Sequence, residues 1–329
     1  MKLASLIFGH ALHHLDHLAP LSYFLDIPLL VTDPLIKEAA ETHYPGLIVY
    51  EMTPFEMSSQ TLEHFDGVVS CLTRKLLDPL FLVAETIHGK KLTSIWCPHG
   101  NSDKGHLAPF MEGLEEESLI LVYGQKMVDF IRQKNGKVPK HLFVGNYRYP
   151  YYLQFQSFYD SWLSSLLPKE KTMFYAPTWN DSENSSSLIS ALPCFKEIAD
   201  SLFIKLHPNT LLQHPHLIEQ LNTEYPKLSF LPAHAPIYPL LERAKLYIGD
   251  MSSIGYDYLS FNRPMFFFNT NQRSDHDLGL YLYRCGEEMP TSFSNTQEDL
   301  REIRQAVYEY TFKKVDPSTL KKELLEALQ

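Results

Sequence analysis

The sequence has little of what marks secreted or nucleic-acid-binding proteins. Its 329 residues include only four cysteines, and no two of them are spaced as a C-x-x-C pair: Cys71, Cys97, Cys194 and Cys285. We therefore expect free thiols in a reducing compartment. Lys and Arg number 29 against 39 for Asp and Glu, which gives a net charge of −10. This acidic balance argues against a nucleic-acid partner and gives no general attraction to anionic lipid.

Long hydrophobic runs are also lacking. No window approaches the ~20 consecutive apolar residues that a membrane-spanning helix requires. The opening MKLASLIFGH has only a short apolar run, whereas a signal peptide needs a longer one and a small-residue cleavage site. We therefore predict a cytoplasmic protein whose first buried strand covers residues 3–8.

The chain instead contains many short apolar runs bounded by turn residues, with helical patterns between some of them. The first series predicts strands at residues 3–8, 28–31, 47–50, 67–71, 93–97, 119–123 and 142–144, with helices at 36–42 and 126–134. A second series follows the aromatic-rich stretch 147–162. It predicts strands at residues 172–175, 202–206, 228–231, 246–248 and 264–268, and helices at 296–310 and 317–328.

Alternation of strands and helices is typical of parallel sheets covered by helices. We predict an α/β protein with two doubly wound, Rossmann-like domains, at residues 1–165 and 166–329. Since 44% of the residues are apolar, each domain can bury a core of its own. Ligands of such sheets bind at the carboxyl ends of the strands, so the residues that follow each strand are the candidates for a site.

Two strand ends carry histidines. In the first, His99 follows the strand at 93–97 and can accept a proton near neutral pH, while Gly100 lets the backbone turn and approach a ligand. In the second, Lys205 and His207 alternate along one strand and can share a face, where two cations suit a phosphate. The alternatives are a loop histidine held by local hydrogen bonds and an ordinary His-Pro corner.

Two further strand ends carry hydroxyl groups. The stretch YIGDMSSIGYDYL (247–259) passes from a strand to a helical pattern through two serines. Helix amides attract anions, and Ser252 or Ser253 can cap the helix and donate to a phosphate. Asp257 lies about one turn further on and can accept from ribose hydroxyls; the alternative is a capped structural helix. After the strand at 172–175, Pro177 stiffens a loop in which Thr178 offers a hydroxyl, or the loop is a plain turn.

Four histidines lie close together in the segment GHALHHLDHLAPL (9–21). His10 and His14 are four residues apart, as are His13 and His17, so each pair shares a face if the segment is helical. That spacing can bind zinc. We favour an acceptor-side role for His10, His13 and His14, because the segment follows the first strand, and we predict no bound metal. A polar helix surface is the remaining alternative.

Four strand ends, taken in order, resemble the motifs of the CDP-glycerol glycerophosphotransferase family, which includes teichoic-acid-type polymerases and primases. The matching stretches are W-C-P-H-G (96–100), Y-A-P-T-W (175–179), K-L-H-P (205–208) and D-M-S-S-I-G-Y-D (250–257). Two later stretches also resemble the family, N-R-P-M-F-F-F (262–268) and Y-R-C-G-E-E-M-P (283–290). The first 90 residues match no motif of the family.

The resemblance implies a GT-B architecture, with two Rossmann-like domains facing a central cleft and the donor nucleotide held mainly by the second. It implies transfer of a glycerol-phosphate or related phosphoalditol group from a CDP-linked donor to an acceptor hydroxyl, with release of CMP and no cofactor. His99 and His207 carry over as catalytic residues. We assign the donor-phosphate contacts to Lys205, Thr178, Ser252, Ser253 and Gly100, and the nucleotide contacts to Asp257, Pro177 and Asp250.

The resemblance leaves the acceptor open. A lipid-linked or polymeric acceptor would add a peripheral contact with the inner face of the cell membrane. Two other functions fit the same fold. One is a GT-B glycosyltransferase that uses a nucleotide-sugar donor, and the other is a GT-B-like protein that binds a nucleotide without catalysis.

Overall fold

The computed structural model describes residues 1–103, 113–181, 184–270, 272, 281–289 and 297–329. The chain forms two compact units, each with a parallel sheet. Within the described residues, unit 1 comprises 1–99, 113–151 and 311–329, and unit 2 comprises 100–103 and 152–310.

Unit 1 contains a seven-stranded sheet in the order β3-β2-β1-β4-β5-β6-β7, and all its neighbouring strands pair in parallel. The strands are β1 Leu3–Ile7, β2 Leu29–Val31, β3 Val49–Glu51, β4 Gly67–Ser70, β5 Thr93–Trp96, β6 Leu119–Val122 and β7 His141–Phe143. Every residue of β1 is buried, as expected for a central parallel strand that helices cover on both faces. The order reverses at β1 and β4, the arrangement of doubly wound folds.

The helices of unit 1 are α1 Leu12–Leu25, α2 Pro34–His43, α3 Met57–His64, α4 Asp78–Leu82, α5 Gln125–Asn135 and, near the end of the chain, Leu320–Ala327. The start of α2 shows how local sequence sets a boundary. Asp33 has extended backbone angles and its carboxylate accepts from the Leu35 amide at 2.8 Å, while Pro34 occupies the first helical position.

Unit 2 contains a six-stranded parallel sheet in the order β10-β9-β8-β11-β12-β13. Its strands are β8 Met173–Ala176, β9 Leu202–Ile204, β10 Ser229–Phe230, β11 Leu246–Gly249, β12 Met265–Phe267 and β13 Glu287–Glu288. Helix α6 Arg148–Gln154 leads into this unit. It is followed by α7 Gln156–Leu166, α8 Leu188–Ala191, α9 Pro208–Gln213, α10 Leu217–Glu224, α11 Ile237–Arg243, α12 Ile254–Tyr258 and α13 Arg301–Thr311.

The structure confirms the α/β class and the twelve predicted strands, with boundaries that differ by at most two residues. The two-residue strand β13 was not predicted, because Glu287 and Glu288 give no apolar run. The predicted helix at 296–310 is observed as a 3-10 turn at Glu298–Leu300 followed by α13. Thr296 of that prediction, like Pro290 of the last motif, lies outside the described residues.

The division between the units differs from the predicted one at residues 165 and 166. It falls instead at Tyr151 and Tyr152, and the last 19 residues cluster with unit 1. Two glycines allow this last segment to pack closely against the rest of unit 1. A Cβ at Gly124 would collide with the backbone of Thr311, and a Cβ at Gly145 with that of Lys313. The Lys313 amide also donates to the Tyr123 carbonyl at 2.8 Å. No helix within the described ranges is long and apolar enough to span a membrane.

Candidate functional site

The predicted donor-side residues of unit 2 follow three neighbouring strands. Pro177 and Thr178 come after β8, Lys205 and His207 come after β9, and Asp250 comes directly after β11. Since the sheet order here is β9-β8-β11 and all three strands are parallel, their carboxyl ends meet at one edge. The fold therefore brings these sequence-predicted residues to the same edge of one sheet.

A buried carboxylate fixes the loops at this edge. Asp250 is fully buried, and its Oδ1 accepts from the backbone amides of Thr178 at 2.9 Å and Ser252 at 3.1 Å. Its Oδ2 accepts from both the amide and the hydroxyl of Ser187, each at 2.9 Å. We expected Asp250 to contact the nucleotide, but the structure places it inside the protein as an acceptor that ties together the loops carrying these residues. Ser187 was missed, because it lies in the polar stretch 184–187, which follows no strand.

The serines after Asp250 differ in exposure. Ser252 is buried, whereas Ser253 is partly exposed and precedes α12, which has only five residues. Ser253 occupies the N-cap position with helical backbone angles, and its side chain makes no capping hydrogen bond. The predicted cap is therefore not formed by Ser253, and so short a helix contributes little dipole.

The side chain of Ser253 lies against the backbone of Gly100. Gly100 has φ +127°, and a Cβ at this position would lie 2.8 Å from both Cβ and Oγ of Ser253. Only glycine satisfies both the backbone conformation and the available space. Nearby, the buried carboxylate of Asp103 accepts from the Tyr256 hydroxyl and from the Leu282 amide at 3.2 Å, which anchors residues 100–103 in unit 2. Asp103 was not among the predicted residues, since no predicted strand directly precedes it.

The two predicted cations have defined partners. Lys205 is buried, and its Nζ donates to the Ala233 carbonyl at 2.7 Å. His207 caps α9, because its Nδ1 accepts from the Asn209 amide at 3.1 Å. In the neutral ring the proton is then on Nε2, which leaves Nε2 as a hydrogen-bond donor. The Trp179 ring lies beside it, with centroids 6.4 Å apart.

The predicted nucleotide contacts Asp257 and Pro177 are both buried. Asp257 is 4% exposed, and its Oδ1 accepts from the Tyr238 hydroxyl at 3.2 Å. A hydroxyl donor already occupies this oxygen, so a ribose would have to share the carboxylate with Tyr238. The ribose contact stays a prediction.

In unit 1 the histidines meet at the carboxyl edge of the sheet, where β1 and β5 flank β4. Helix α1 begins at Leu12, so His10 precedes the helix and does not pair with His14 on one face. Instead, His10 Nδ1 contacts the carboxylate of Asp33. The spacing predicted that His10 and His14 share one helix face and that His13 and His17 share another. In the structure, His13 and His14 lie beside His99. The ring centroids are 4.3 Å apart for His13–His14, 5.5 Å for His13–His99 and 5.0 Å for His14–His99.

Burial controls the protonation of this group. It lowers the pKa of His99 from 6.5 to about 4. The pKa of His14 is also lowered well below 6.5, by burial first and then by the nearby imidazoles of His13 and His99. At neutral pH, His14 and His99 are therefore uncharged, and an uncharged imidazole can accept a proton or bind a metal ion. One candidate ligand atom from each of the three histidines lies within 4.8 Å of the others.

The loop that carries His99 is held by hydrogen bonds to a buried tyrosine. The Tyr123 hydroxyl donates to the carbonyl of Pro98, the residue before His99, at 2.7 Å, and lies 2.7 Å from His17 Nδ1. Tyr123 and His17 are 1% and 6% exposed. The sequence analysis missed Tyr123, although its position directly after β6 was a signal. His13 and His17 both lie in α1 at the predicted i,i+4 spacing, and His17 Nδ1 in addition contacts the Tyr123 hydroxyl.

Comparison with known proteins identifies a family that resembles part of this chain. Residues 164–317 match the model of the family described as CDP-glycerol:poly(glycerophosphate) glycerophosphotransferase. No curated protein sequence matches the chain.

Solved structures match the chain along its whole length. The wall teichoic acid polymerase TagF is similar with a TM-score of 0.69 and 16% identity, over 99% of this chain and 88% of that one. Alr3699/HepE from Anabaena, in complex with UDP-glucose, has a TM-score of 0.57 and 14% identity, over 100% and 99%. The UDP-GlcNAc 2-epimerase of Methanocaldococcus jannaschii has a TM-score of 0.54 and 13% identity, over 99% of both chains. Such identities show the fold alone, and they confirm the predicted GT-B class.

The matched residues 164–317 contain three of the four strand-end motifs on which the resemblance was based, those beginning at Tyr175, Lys205 and Asp250. The recognition from these motifs is therefore confirmed. Residues 164–317, which carry the strand ends of unit 2, match the CDP-glycerol glycerophosphotransferase family, and this match supports a transferase of that type.

Proposed function

We propose that the protein transfers a glycerol-phosphate or related phosphoalditol group from a CDP-linked donor to an acceptor hydroxyl, with release of CMP. The observation that carries the proposal is the Asp250 carboxylate within the family match, which holds the loops of Thr178, Ser187 and Ser252 at one sheet edge. Catalysis of phosphoryl-type transfer depends mainly on groups positioned in advance around the phosphates. A network that fixes these loops before the donor arrives meets that requirement.

We assign the donor phosphates to unit 2. His207 offers an Nε2–H donor because its Nδ1 is held by the Asn209 amide. Lys205 supplies a fixed positive charge, since its Nζ is anchored on the Ala233 carbonyl. The partly exposed Ser253 hydroxyl is a further donor. In this proposal, protein groups alone neutralise the charge that develops on the phosphates, and no metal ion is needed there.

We assign the general base to His99. Burial keeps its imidazole neutral at physiological pH, so it is ready to accept a proton. It takes the proton of the acceptor hydroxyl while that oxygen forms a bond to the phosphorus bearing the glycerol group. The bond from this phosphorus to the oxygen bridging to CMP breaks, and CMP leaves with that oxygen. With a pKa of about 4, His99 is a weak base, so proton transfer follows bond formation closely rather than preceding it.

We propose a polymeric or lipid-linked compound as the acceptor, and with a lipid-linked acceptor the enzyme would contact the inner face of the membrane from the cytoplasm. This part rests on the family match. Release of CMP in the presence of candidate acceptors, compared with release by water alone, identifies the class that is used.

A donor screen tests the proposed function first. CMP, CDP, CDP-glycerol, UDP and UDP-sugars are compared by thermal shift and calorimetry, because a ligand of the folded state raises its melting temperature. We expect stabilisation by the cytidine compounds, reduced in Ser253→Ala and unchanged in Ser164→Ala, which alters an exposed serine on α7. Selectivity for uridine compounds would instead support a glycosyltransferase. Cytidine binding without CMP release from CDP-glycerol would support a non-catalytic nucleotide-binding protein.

A further inference from the structure

Three imidazoles converge in unit 1 from two separate parts of the chain. His13 and His14 are consecutive residues in the first turn of α1, and His99 lies in the loop after β5. One candidate ligand nitrogen from each ring lies within 4.8 Å of the others. Two adjacent residues on a helix point in different directions, so their joint contact with a third ring requires the loop of His99 to sit over the start of α1.

His14 is the most enclosed of the three. Its side chain is buried at 3% exposure, and its Nδ1 has no hydrogen-bond partner among the described residues. A buried polar atom without a partner destabilises the folded state. A ligand that accepts this nitrogen's lone pair, or shares it, would remove that cost.

The neighbouring histidines are already engaged. His10 contacts the Asp33 carboxylate, and His17 Nδ1 lies 2.7 Å from the Tyr123 hydroxyl. The cluster described here is therefore made of His13, His14 and His99, with no carboxylate among its members. Imidazole nitrogen suits zinc and related transition metals, whereas Mg²⁺ and Ca²⁺ prefer oxygen ligands.

The spacing is compatible with such an ion after a small closure. Zinc–nitrogen bonds of about 2.0–2.1 Å in a tetrahedral site place two ligand nitrogens about 3.3 Å apart. The nitrogens, which lie within 4.8 Å, need to approach by no more than about 1.5 Å. Side-chain rotation can supply this movement, while the Tyr123 hydroxyl holds the backbone carbonyl of Pro98 and the imidazole of His17 beside the cluster.

We propose that His13, His14 and His99 form a binding site for a divalent transition-metal ion of the zinc class, with its fourth coordination position open. The site goes beyond the proposed function, in which His99 is the only one of these three histidines with a role. An ion bound by His99 withdraws its imidazole from proton transfer, so bound metal is expected to slow glycerol-phosphate transfer. That consequence rests on the proposed role of His99, whereas the binding itself does not.

Binding is measured on the full chain after treatment with a chelator and removal of the chelator. Co²⁺ serves as the visible-absorption probe, and Zn²⁺ is then titrated in to displace it. A Cys194→Ser background removes the exposed thiol, which can bind metal by itself. We expect one equivalent of Co²⁺ to bind with the intense visible band of a four-coordinate ion, and Zn²⁺ to abolish that band.

Variants in the same background locate the site. His14→Ala and His13→Gln are each expected to weaken Co²⁺ binding at least tenfold, whereas His10→Ala, which alters a neighbouring imidazole outside the cluster, should leave it unchanged. Far-ultraviolet circular dichroism checks that each variant is folded; if His14→Ala is not, the half-buried His13 still decides the question. Equal affinity in wild type and the His13 variant, or no saturable binding, would overturn the proposal. Since no CDP compound is present, this result is independent of the donor screen.

Discussion

The two sheets share the same reversal of strand order but place different chemistry at their carboxyl ends. In unit 2, the Asp250 carboxylate accepts from the amides of three loop residues, so hydrogen bonds fix the loops. In unit 1, three imidazoles pack against one another. The first end is thus fixed by hydrogen bonds, whereas the second is made of imidazoles that take up protons only in acid. One fold thus supplies an edge fixed by hydrogen bonds in unit 2 and a titratable edge in unit 1.

The largest effect is expected from removing the carboxylate that organises unit 2. In Asp250→Ala, the amides of Thr178, Ser187 and Ser252 lose an acceptor inside the protein. We expect the free energy of unfolding to fall by roughly 3–5 kcal/mol, since each unsatisfied buried donor costs about 1–3 kcal/mol. Urea unfolding followed by tryptophan fluorescence measures the change. Asp160→Ala, at an exposed position of α7, is the control. A loss below about 1 kcal/mol would mean that the loops are held by other contacts.

The second prediction concerns acid stability in unit 1. Burial lowers the pKa of His99 from 6.5 to about 4, and the pKa values of His14 and His17 are also lowered well below 6.5 by burial. In the unfolded chain, these three imidazoles take up protons as the pH falls below about 6.5. In the folded chain, they do so only at a much lower pH. The free energy of unfolding is therefore unaffected by protonation of these histidines above pH 6.5. It falls between pH 6.5 and about pH 4, by at most about 3 kcal/mol for His99 alone.

Unfolding at pH 7.5 and 5.0, with a chelator present, checks this dependence. The double replacement Trp162→Phe and Trp179→Phe leaves Trp96, on β5 of unit 1, as the reporter. His99→Gln should reduce the pH dependence, because His14 and His17 still contribute, and His216→Gln, which alters an imidazole that is 83% exposed, should not change it. Equal stability of the wild type at both pH values would contradict the assignment of a titratable edge to unit 1.

The third prediction tests whether the close contact between Gly100 and Ser253 in unit 2 matters for the reaction. Gly100→Ala places a methyl group against Ser253 and forces an L-residue to φ +127°. Gly136→Ala is the matched control, because Gly136 has φ +71° but no atom within 4 Å of its Cβ position. We expect the conformational cost of about 1–2 kcal/mol in both variants and an additional loss of CDP-glycerol turnover in Gly100→Ala alone. Adding Ser253→Gly should relieve the collision but not the backbone cost. Equal turnover of the two alanine variants would show that the approach has no role in the reaction.

The sheets were predictable from the sequence to a greater extent than the site. Buried parallel strands appear as short apolar runs, so twelve of them were identified, and their carboxyl ends pointed to His99, Thr178, His207 and Asp250. The chain gives no local signal for the partners of these residues. The hydrogen bonds of Asp250 link residues 63 and 72 positions apart, and those of Asp103 link residues 153 and 179 apart.

The histidine segment shows the same limit. Helical spacing correctly indicated that several imidazoles share one region, but the helix begins at Leu12, after His10. The start of α1 has no side-chain cap, so no capping residue marked the boundary in the sequence. The third member of the cluster, His99, is contributed by a loop 85 residues after His14, and only the order of β1, β4 and β5 brings them together.

The smallest effect is expected from the hydroxyl that supports the titratable edge from within unit 1. In Tyr123→Phe, the Pro98 carbonyl loses its donor and His17 Nδ1 loses its partner, while the ring and its packing remain. We expect a loss of about 1–2 kcal/mol of stability. If the hydrogen bonds of Tyr123 position His99, kcat for transfer should fall in this variant. The affinity for CMP, which our proposal assigns to unit 2, should stay constant. Tyr44→Phe is the control, since its hydroxyl also makes a side-chain hydrogen bond in unit 1, to Asp16 at 2.8 Å. An equal fall of kcat in both variants would mean that Tyr123 stabilises unit 1 only in a general way, and that packing of the imidazoles alone sets the position of His99.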